Sequence, residues 1–370
     1  MFPTVARGYD PSAMLIDTVT LYRFSLPLIE PYKLAMGVVG AFDTVLAVIE
    51  DGGGTGFGEA TILTGYTEET IDGCWRVARG LGKRIAGMEA AEAKQLIQAE
   101  HASHPFTATA LMTAVEMLEG HPLLDVTERT SVPLLAIINA MDEDAITGEI
   151  EARLEDGYST LKVKVGFDAE TDAKRVRFIQ DRVGGRALIR LDGNQGYGLK
   201  DAVGFVSALR PEDIELFEQP CPAGDWDSAV AVAEAADVPM MLDESIYGPA
   251  DIDRAADIGA ASYIKLKLMK AGGLQVLAQG LRQIRERGMT PVLGNGVASD
   301  AGCWMEGCAA RGLIDNAGEM NGFLKPRVGI FAKPIVVDSG AMVLETAAPK
   351  LSRPDTLAAL ATETAHYPES

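Results

Sequence analysis

From about residue 130 the chain alternates between two hydrophobic periods. Short apolar runs rich in Val, Ile and Leu end in a polar residue, and a stretch with apolar residues at helical spacing follows each. The runs are PLLAIINA (133–140), LKVKV (161–165), ALIRLD (187–192), IELFE (214–218), PMMLDE (239–244), YIKLK (263–267) and PVLGN (291–295). A weaker one, NAGEMN (316–321), completes the set. From the second run onward a polar residue stands at 164, 192, 218, 243, 267 and 295, in steps of 24 to 28 residues. One strand, one helix and two short loops take that length, and repeated βα units build a parallel sheet. Eight of them predict a (β/α)8-type barrel. An open doubly wound sheet would carry a glycine-rich phosphate loop after its first strand, where this chain reads INAMDED (138–144). DAITGEIEARLEDG (144–157) is typical of the helices, with apolar residues at helical spacing and a closing glycine.

Residues 1–130 lack this rhythm. DTVLAVIEDGGGTGFGEA (43–60) reads as strand, glycine-rich turn and strand, and TATALMTAVEMLEG (107–120) as a helix. They predict a separate α+β domain over 1–130, completed by the segment from about 335 to 370, with the barrel over 131–334. Residues 352–370 read as a polar tail.

The formal charge of −20 argues against nucleic acid as a partner, because phosphate binding needs a basic stripe. Apolar runs fall short of a membrane span, and MFPTVARGYDPSAMLID (1–17) lacks the basic and apolar segments of a signal peptide. Cys74, Cys221, Cys303 and Cys308 form no CxxC pair and read as small apolar fillers in a reducing compartment. A cytoplasmic protein is expected, acting on a small molecule and not on a membrane, with self-association left open.

Candidate chemistry gathers at the strand ends. In STLKVKVG (159–166), Leu161, Val163 and Val165 form one face of a strand and Lys162 and Lys164 the other. A lysine pair at alternate positions is ordinary on a solvated face, but in a barrel it points at the centre. Asp192, Glu218 and Asp243 end three consecutive runs and Lys267 ends a later one, all in phase. In a parallel barrel these ends form the catalytic mouth. Three converging carboxylates repel one another, and a divalent cation relieves the conflict; oxygen-only donors suit Mg²⁺. His101, His104, His121 and His366 all lie outside the barrel segment, so a general base there is a lysine or a carboxylate.

LKVKVG (161–166), LDGNQGY (191–197), FEQP (217–220), LDES (242–245) and LKLMKAGG (266–273), with a fainter GFGEA (56–60), resemble the enolase superfamily. Within it the chain is most similar to the muconate-lactonizing-enzyme subgroup that includes dipeptide epimerases. The resemblance implies a modified (β/α)8 TIM-type barrel of (β/α)7β form with an N-terminal α+β capping domain. It implies Asp192, Glu218 and Asp243 as Mg²⁺ ligands, Lys164 and Lys267 as an acid/base pair on opposite faces of a carboxylate substrate, and Lys162 as a helper cation. Two aspartates that grip a substrate ammonium in the epimerase pattern correspond by spacing to Glu319 and Asn321, so one acid is kept and one lost. Asn194, in LDGNQGY, is a further substrate-side candidate. Lys265 departs from the pattern, which has a neutral residue there.

The resemblance implies an Mg²⁺-dependent enzyme that removes and returns the proton α to a carboxylate through an enediolate. Two facing lysines favour racemase or epimerase chemistry on an amino-acid derivative such as a dipeptide. Cycloisomerisation and dehydratase or synthase chemistry use the same apparatus and stay open, as does a barrel that binds without turnover. Specificity is expected from the stretches LIEPYKLAMG (28–37) and ATILTGY (60–66), and from the small residues of LGNGVASDAG (293–302).

Overall fold

The computed structural model describes residues 14–34, 37–63 and 67–368. Most of the N-terminal segment 1–17, and parts of the specificity stretches 28–37 and 60–66, lie outside these residues. Strands β1 (Thr18–Leu34), β2 (Gly37–Glu50) and β3 (Thr55–Ile62) pair antiparallel, and helices α1 (Ile71–Ile85), α2 (Ala90–Glu100) and α3 (Pro105–Leu118) pack on the sheet around a core of their own. The turn between β2 and β3 closes on Asp51, whose Oδ1 accepts from the N–H groups of Gly53 (3.0 Å) and Gly54 (2.6 Å). Gly56 and Gly58 let β3 lie directly against α3. A Cβ on Gly56 would stand 2.0 Å from the Ala114 carbonyl oxygen, and one on Gly58 2.2 Å from that of Ala110.

After β4 (Thr130–Pro133) the βα rhythm begins with β5 (Ala136–Ile138) and α4 (Glu143–Glu155). It continues through β6 (Thr160–Lys164), α5 (Ala169–Val183), β7 (Leu188–Asp192), α6 (Leu199–Ser207), β8 (Ile214–Glu218), α7 (Trp226–Ala235), β9 (Met240–Leu242) and α8 (Pro249–Asp257). Then come β10 (Tyr263–Leu266), the short α9 (Leu268–Ala271), α10 (Leu274–Glu286), β11 (Thr290–Leu293) and α11 (Asp300–Leu313). Strands β5 to β11 pair in chain order, parallel throughout. The eighth run joins the two edges without becoming a full strand. Glu319 donates its N–H to Leu293 O (3.0 Å), Gly318 to Pro133 O (2.9 Å), and Leu135 to Gly318 O (2.9 Å). Glycine and asparagine are poor strand formers, so this closure is a short bridge inside a TIM-type barrel.

The period of two sorts each strand into an outer and an inner face. Leu161 and Val163 of β6 are fully buried in the apolar layer that includes α4 and α5, which leaves Lys162 and Lys164 facing inward. Going inward and downward, Lys162, Arg190, Leu216, Met241 and Lys265 stand two residues below the corresponding mouth positions, and Val292 pairs with Lys265 at the same level. Leu216, Met241 and Val292 make a small apolar cluster there. Arg190 is held by Glu215 (2.7 and 3.0 Å), by Ala317 O (2.8 Å) and by Asn316 Oδ1 (3.2 Å), which ties the closing segment to β7 and β8.

The C-terminal stretch differs from the polar tail expected of it. β12 (Val337–Asp338) and β13 (Ala341–Leu344) form a small sheet with β4, α12 (Pro354–Leu360) follows, and β14 (Glu363–Pro368) pairs antiparallel with β1 as the fourth strand of the N-terminal sheet. Backbone pairing at an edge needs no apolar alternation, so the polar composition concealed the strand. Arg23 fastens it through Glu363 (2.7 Å), and Trp75 Nε1 donates to the same carboxylate (2.9 Å).

Gly58→Val is expected to lower stability by about 1–3 kcal/mol, because the added side chain must push β3 off α3. Urea or thermal unfolding checks it; an unchanged midpoint would mean that the two elements do not need this contact.

Candidate active site

Lys164, Asp192 and Glu218 are the last residues of β6, β7 and β8, while Asp243 and Lys267 immediately follow β9 and β10. In-register parallel pairing sets them side by side, with Lys164 opposite Asp192 and Asp192 opposite Glu218. Asp192, Glu218 and Asp243 are each 1% exposed, and Lys162 and Lys265 below them 1% and 2%. Ionised groups at that depth require partners.

The partners are one another. Lys162 Nζ lies 2.8 Å from Asp192, 2.8 Å from Glu218 and 2.7 Å from Glu319. Lys265 Nζ reaches Glu218 (3.0 Å) and Asp243 (3.5 Å) and donates to Glu319 Oε2. Lys164 donates to Asp192 (2.5 Å) and to Asn194 Oδ1, and Lys267 to Asp243 (2.6 Å). Lys265, unexplained by the family pattern, thus has an explanation in this chain. It neutralises the extra carboxylate brought by Glu319.

Burial works against every charge here, and the neighbours decide which groups keep theirs. Burial and Asp192 push the Glu218 carboxyl up to about 7 against the pull of Lys162 and Lys265. Burial also acts on Asp192, but Lys162, Lys164 and Lys265 outweigh it and hold that carboxyl well below the usual range. Glu319 is lowered in the same way by Lys162 and Lys265. Lys162 and Lys265 overcome burial through the surrounding carboxylates and sit above the ordinary lysine value. Lys267 goes the other way. Burial, and then the nearby Lys270 ammonium, bring it down to about 7.

Several residues that support the site were missed in the sequence, although the strings FEQP and LDES contain two of them. Gln219 adopts φ +35° directly after β8, in the left-handed region that non-glycine residues rarely enter. Its Oε1 accepts from the N–H groups of Asp243 (3.1 Å) and Ser245 (3.2 Å), and its Nε2 donates to Ser245 Oγ (2.8 Å) and Cys221 O (3.0 Å). One side chain therefore clasps the loops after β8 and β9 and fixes Asp243. Glu244 is buried beside the acid cluster, with its carboxyl pushed up to about 8 by burial and by Asp243, and Asn194 Nδ2 donates to it (3.1 Å). Glu306 of α11 accepts the Leu268 N–H (2.8 Å), which pins the peptide following Lys267.

Lys162, Lys164, Lys265, Lys267, Asp192, Asp243 and Glu319 line one cavity that opens to solvent. Asn194 joins them, and Leu63, Met269 and Val297 supply apolar wall. Asn295, Gly296 and Val297, from the small-residue stretch after β11, border it as well. Glu218 stands behind this lining. Asn321 is turned elsewhere, donating to Leu135 O (3.3 Å) and accepting from Lys325 (3.3 Å).

The acid trio offers only hard oxygen donors, the kind that binds a divalent cation such as Mg²⁺. As the side chains lie, Lys162 stands between Asp192 and Glu218, and Lys265 between Glu218 and Asp243, so among the described residues no three acids converge as chelating ligands. Beside them the buried Glu244 Oε2 has no hydrogen-bond partner. Four acids buried together repel one another, a hard cation relieves that repulsion, and the oxygen-only donor set fits one.

Residues 145–349 match the family model described as enolase C-terminal domain-like. An L-Ala-D/L-Glu epimerase of Bacillus subtilis is 31% identical over 275 residues, covering 70% of this chain and 75% of that protein. One from Clostridium acetobutylicum is 29% identical over 278 residues, covering 70% of this chain and 76% of that protein. In fold, the chain is similar to a solved dipeptide epimerase from Cytophaga hutchinsonii, complexed with Mg and the dipeptide D-Ala-L-Val. The TM-score is 0.82 over 95% of this chain and 100% of that one, at 20% identity. The family match runs through every barrel motif from LKVKVG to LKLMKAGG, and the chain belongs to the enolase superfamily of enzymes, in its mandelate racemase and muconate lactonizing enzyme subgroup.

Proposed function

We propose that the protein racemises or epimerises an amino-acid derivative such as a dipeptide, by moving a proton on and off the carbon α to its carboxylate. Lys164 and Lys267 are the two proton-carrying groups in this reading. The observation that supports it is their relation to the acids. They come from β6 and β10, on either side of the carboxylate-bearing β7 to β9, and line the same cavity. A substrate whose carboxylate points at β7 to β9 has its α-carbon between them, with one lysine on each face.

Asp192, Glu218 and Asp243 would hold Mg²⁺, the metal present in the solved Cytophaga hutchinsonii relative. When bound, the ion supplies positive charge beside the substrate carboxylate, where negative charge grows as the α-proton leaves. Lys162 stays cationic among its carboxylates and adds fixed positive charge from below. Lys267, brought to about 7, is close to balanced between base and acid forms near neutral pH, as a group that both takes and returns a proton requires. Glu306 and Gln219 orient the backbone on which Lys267 and Asp243 stand.

Asp192→Asn, Glu218→Gln and Asp243→Asn are each expected to weaken Mg²⁺ binding and abolish turnover while the far-UV circular dichroism stays native. Calorimetric Mg²⁺ titration tests this, and wild-type affinity in all three variants would overturn the ligand assignment.

In D₂O the wild-type enzyme is expected to put deuterium into both stereoisomers of a substrate. Lys164→Ala should stop interconversion yet leave exchange of the isomer that faces Lys267, and Lys267→Ala should give the mirror result. The affected exchange should fall by about 10²–10⁴-fold, the contribution of a positioned general base. Loss of all exchange in one variant, with only altered product release in the other, would instead indicate elimination or cycloisomerisation.

A further inference from the structure

Behind the catalytic cavity lies a second, smaller one. Met269, Asn295 and Val297 border both. Its other side is made by Glu59 and Thr61 of β3, Thr113 of α3 and Glu306 of α11, so the antiparallel sheet and the barrel meet across it. Both acids are deeply buried, Glu59 at 7% exposed and Glu306 at 1%. Gly302 allows the approach, since a Cβ there would stand 2.7 Å from Glu59 Oε1. The proposed proton transfer uses the bond from Leu268 to Glu306 but leaves this space idle.

The oxygens around that space have spent their donors. Glu306 Oε1 accepts the Leu268 N–H (2.8 Å), while its Oε2 has no partner. Thr113 gives its hydroxyl hydrogen to Thr109 O (2.8 Å), one turn back along α3, so only lone pairs remain for the cavity. Asn295 turns its Nδ2 to the Met269 sulfur, and its Oδ1 accepts from Val297 N (2.9 Å) with a second lone pair left over. Among the described residues every donor bonded to Glu59 or Glu306 is neutral: Ser299 N (2.7 Å), the Ser299 and Thr61 hydroxyls, Gly302 N and Leu268 N. The ammonium groups of Lys267 and Lys265 act on Glu306 from a distance, and Asp300 adds a further negative charge beside Glu59. Burial pushes both carboxyls up to about 8. Two acids thus face one space with no bound countercharge.

The size of the space selects the ion. It is about 10 Å³, room for about one water-sized body. A water brings only its pair of hydrogens and no charge, which is less than these acceptors ask for. Mg²⁺ gives up its own waters reluctantly and demands octahedral geometry, so it does not suit a space with no room for a hydration shell. An alkali cation of potassium size is as large as a water, sheds its shell readily and accepts carboxylate, hydroxyl and amide oxygens together. We propose that the cavity between β3 and α11 is a monovalent-cation site, with Glu59 and Glu306 supplying the charge and Thr113 and Asn295 the neutral oxygens. The bound ion ties the antiparallel sheet to the helix that pins the peptide after Lys267. It is separate from the Mg²⁺ position on β7 to β9 and independent of the reaction proposed for the catalytic cavity.

The test is the melting temperature of the full chain at saturating Mg²⁺, in potassium, sodium or choline chloride of equal concentration. Choline is too large for the cavity and reports the empty site. Potassium or sodium should raise the Tm above the choline value by about 2 °C or more, the effect of an ion present at about ten times its Kd. Glu306→Gln keeps the shape and the bond from Leu268 but removes the charge, and it should cancel the difference. If that variant fails to fold, Thr113→Val, which removes a neutral ligand, should shrink the difference in its place. Crystals soaked in rubidium chloride should show anomalous density beside Glu306 Oε2. Equal melting in all three salts means that the cavity holds only water and overturns the proposal. So does a potassium or sodium effect that survives these substitutions in full, or rubidium density confined to the protein surface.

Discussion

Lys162 stands one layer below the barrel mouth, 1% exposed, with its Nζ within 2.8 Å of carboxylates from β7 and β8 and 2.7 Å from one on the closing segment. An isolated ammonium at that depth would cost several kcal/mol even after the protein relaxes around it. It persists because two strands in register and the closing segment deliver acids to the same point. Lys265 repeats the arrangement from β10, so two cations and four acids hold one another in place. Their mutual neutralisation makes the centre of the barrel a fixed field of charges rather than an apolar filling. Such a field is already oriented when a reacting carboxylate arrives, which is the condition under which electrostatic stabilisation is strongest.

Holding that field still requires the surrounding backbone to be stiff, and buried acids do much of this work. Glu116 of α3 accepts from Leu274 N (2.6 Å) and Gln275 N (3.0 Å), so an acid from a helix on the antiparallel sheet caps α10. Glu59 of β3 accepts from Ser299 N (2.7 Å) and its hydroxyl, at the start of α11. Asp300 accepts from Ile330 N (3.1 Å) and Phe331 N (2.8 Å), and Asp172 from Gly166, Phe167 and Asp168 N–H groups at 2.9–3.1 Å. Each joins a loop at the mouth end to a rigid element. Part of the chain's acidity therefore serves as internal clamps, which net charge alone would assign to the surface.

The legible parts of the site were those carried by periodicity. Lys162, Lys164, Asp192, Glu218, Asp243 and Lys267 could be read from the phase of strand ends, since parallel strands with near-equal repeats must bring those ends together. Residues such as Gln219, Glu244 and Glu306 have no periodic signature. Their importance comes from a left-handed turn, an unsatisfied buried oxygen and a bond to Leu268 N, none of which is a property of local sequence. The C-terminal strand was hidden for a related reason. Glu363–Pro368 pairs through its backbone, and its side chains alternate between exposed and half-buried, so the stretch reads as a tail.

The sequence by itself determined the repeating βα architecture, the inward face of β6 and the gathering of acids and lysines at one end of the barrel. These follow from the two fixed periods of the backbone, which no later contact can change. Only the tertiary structure decided which charge faces which. Lys265 and Glu319 are 54 residues apart and belong to different layers of the pattern, yet they meet because β10 and the closing segment border the same narrow interior. The distance along the chain carries no trace of that meeting. It is decided by barrel closure, where a short glycine-bearing bridge between Leu293 and Pro133 brings the last acid over the centre.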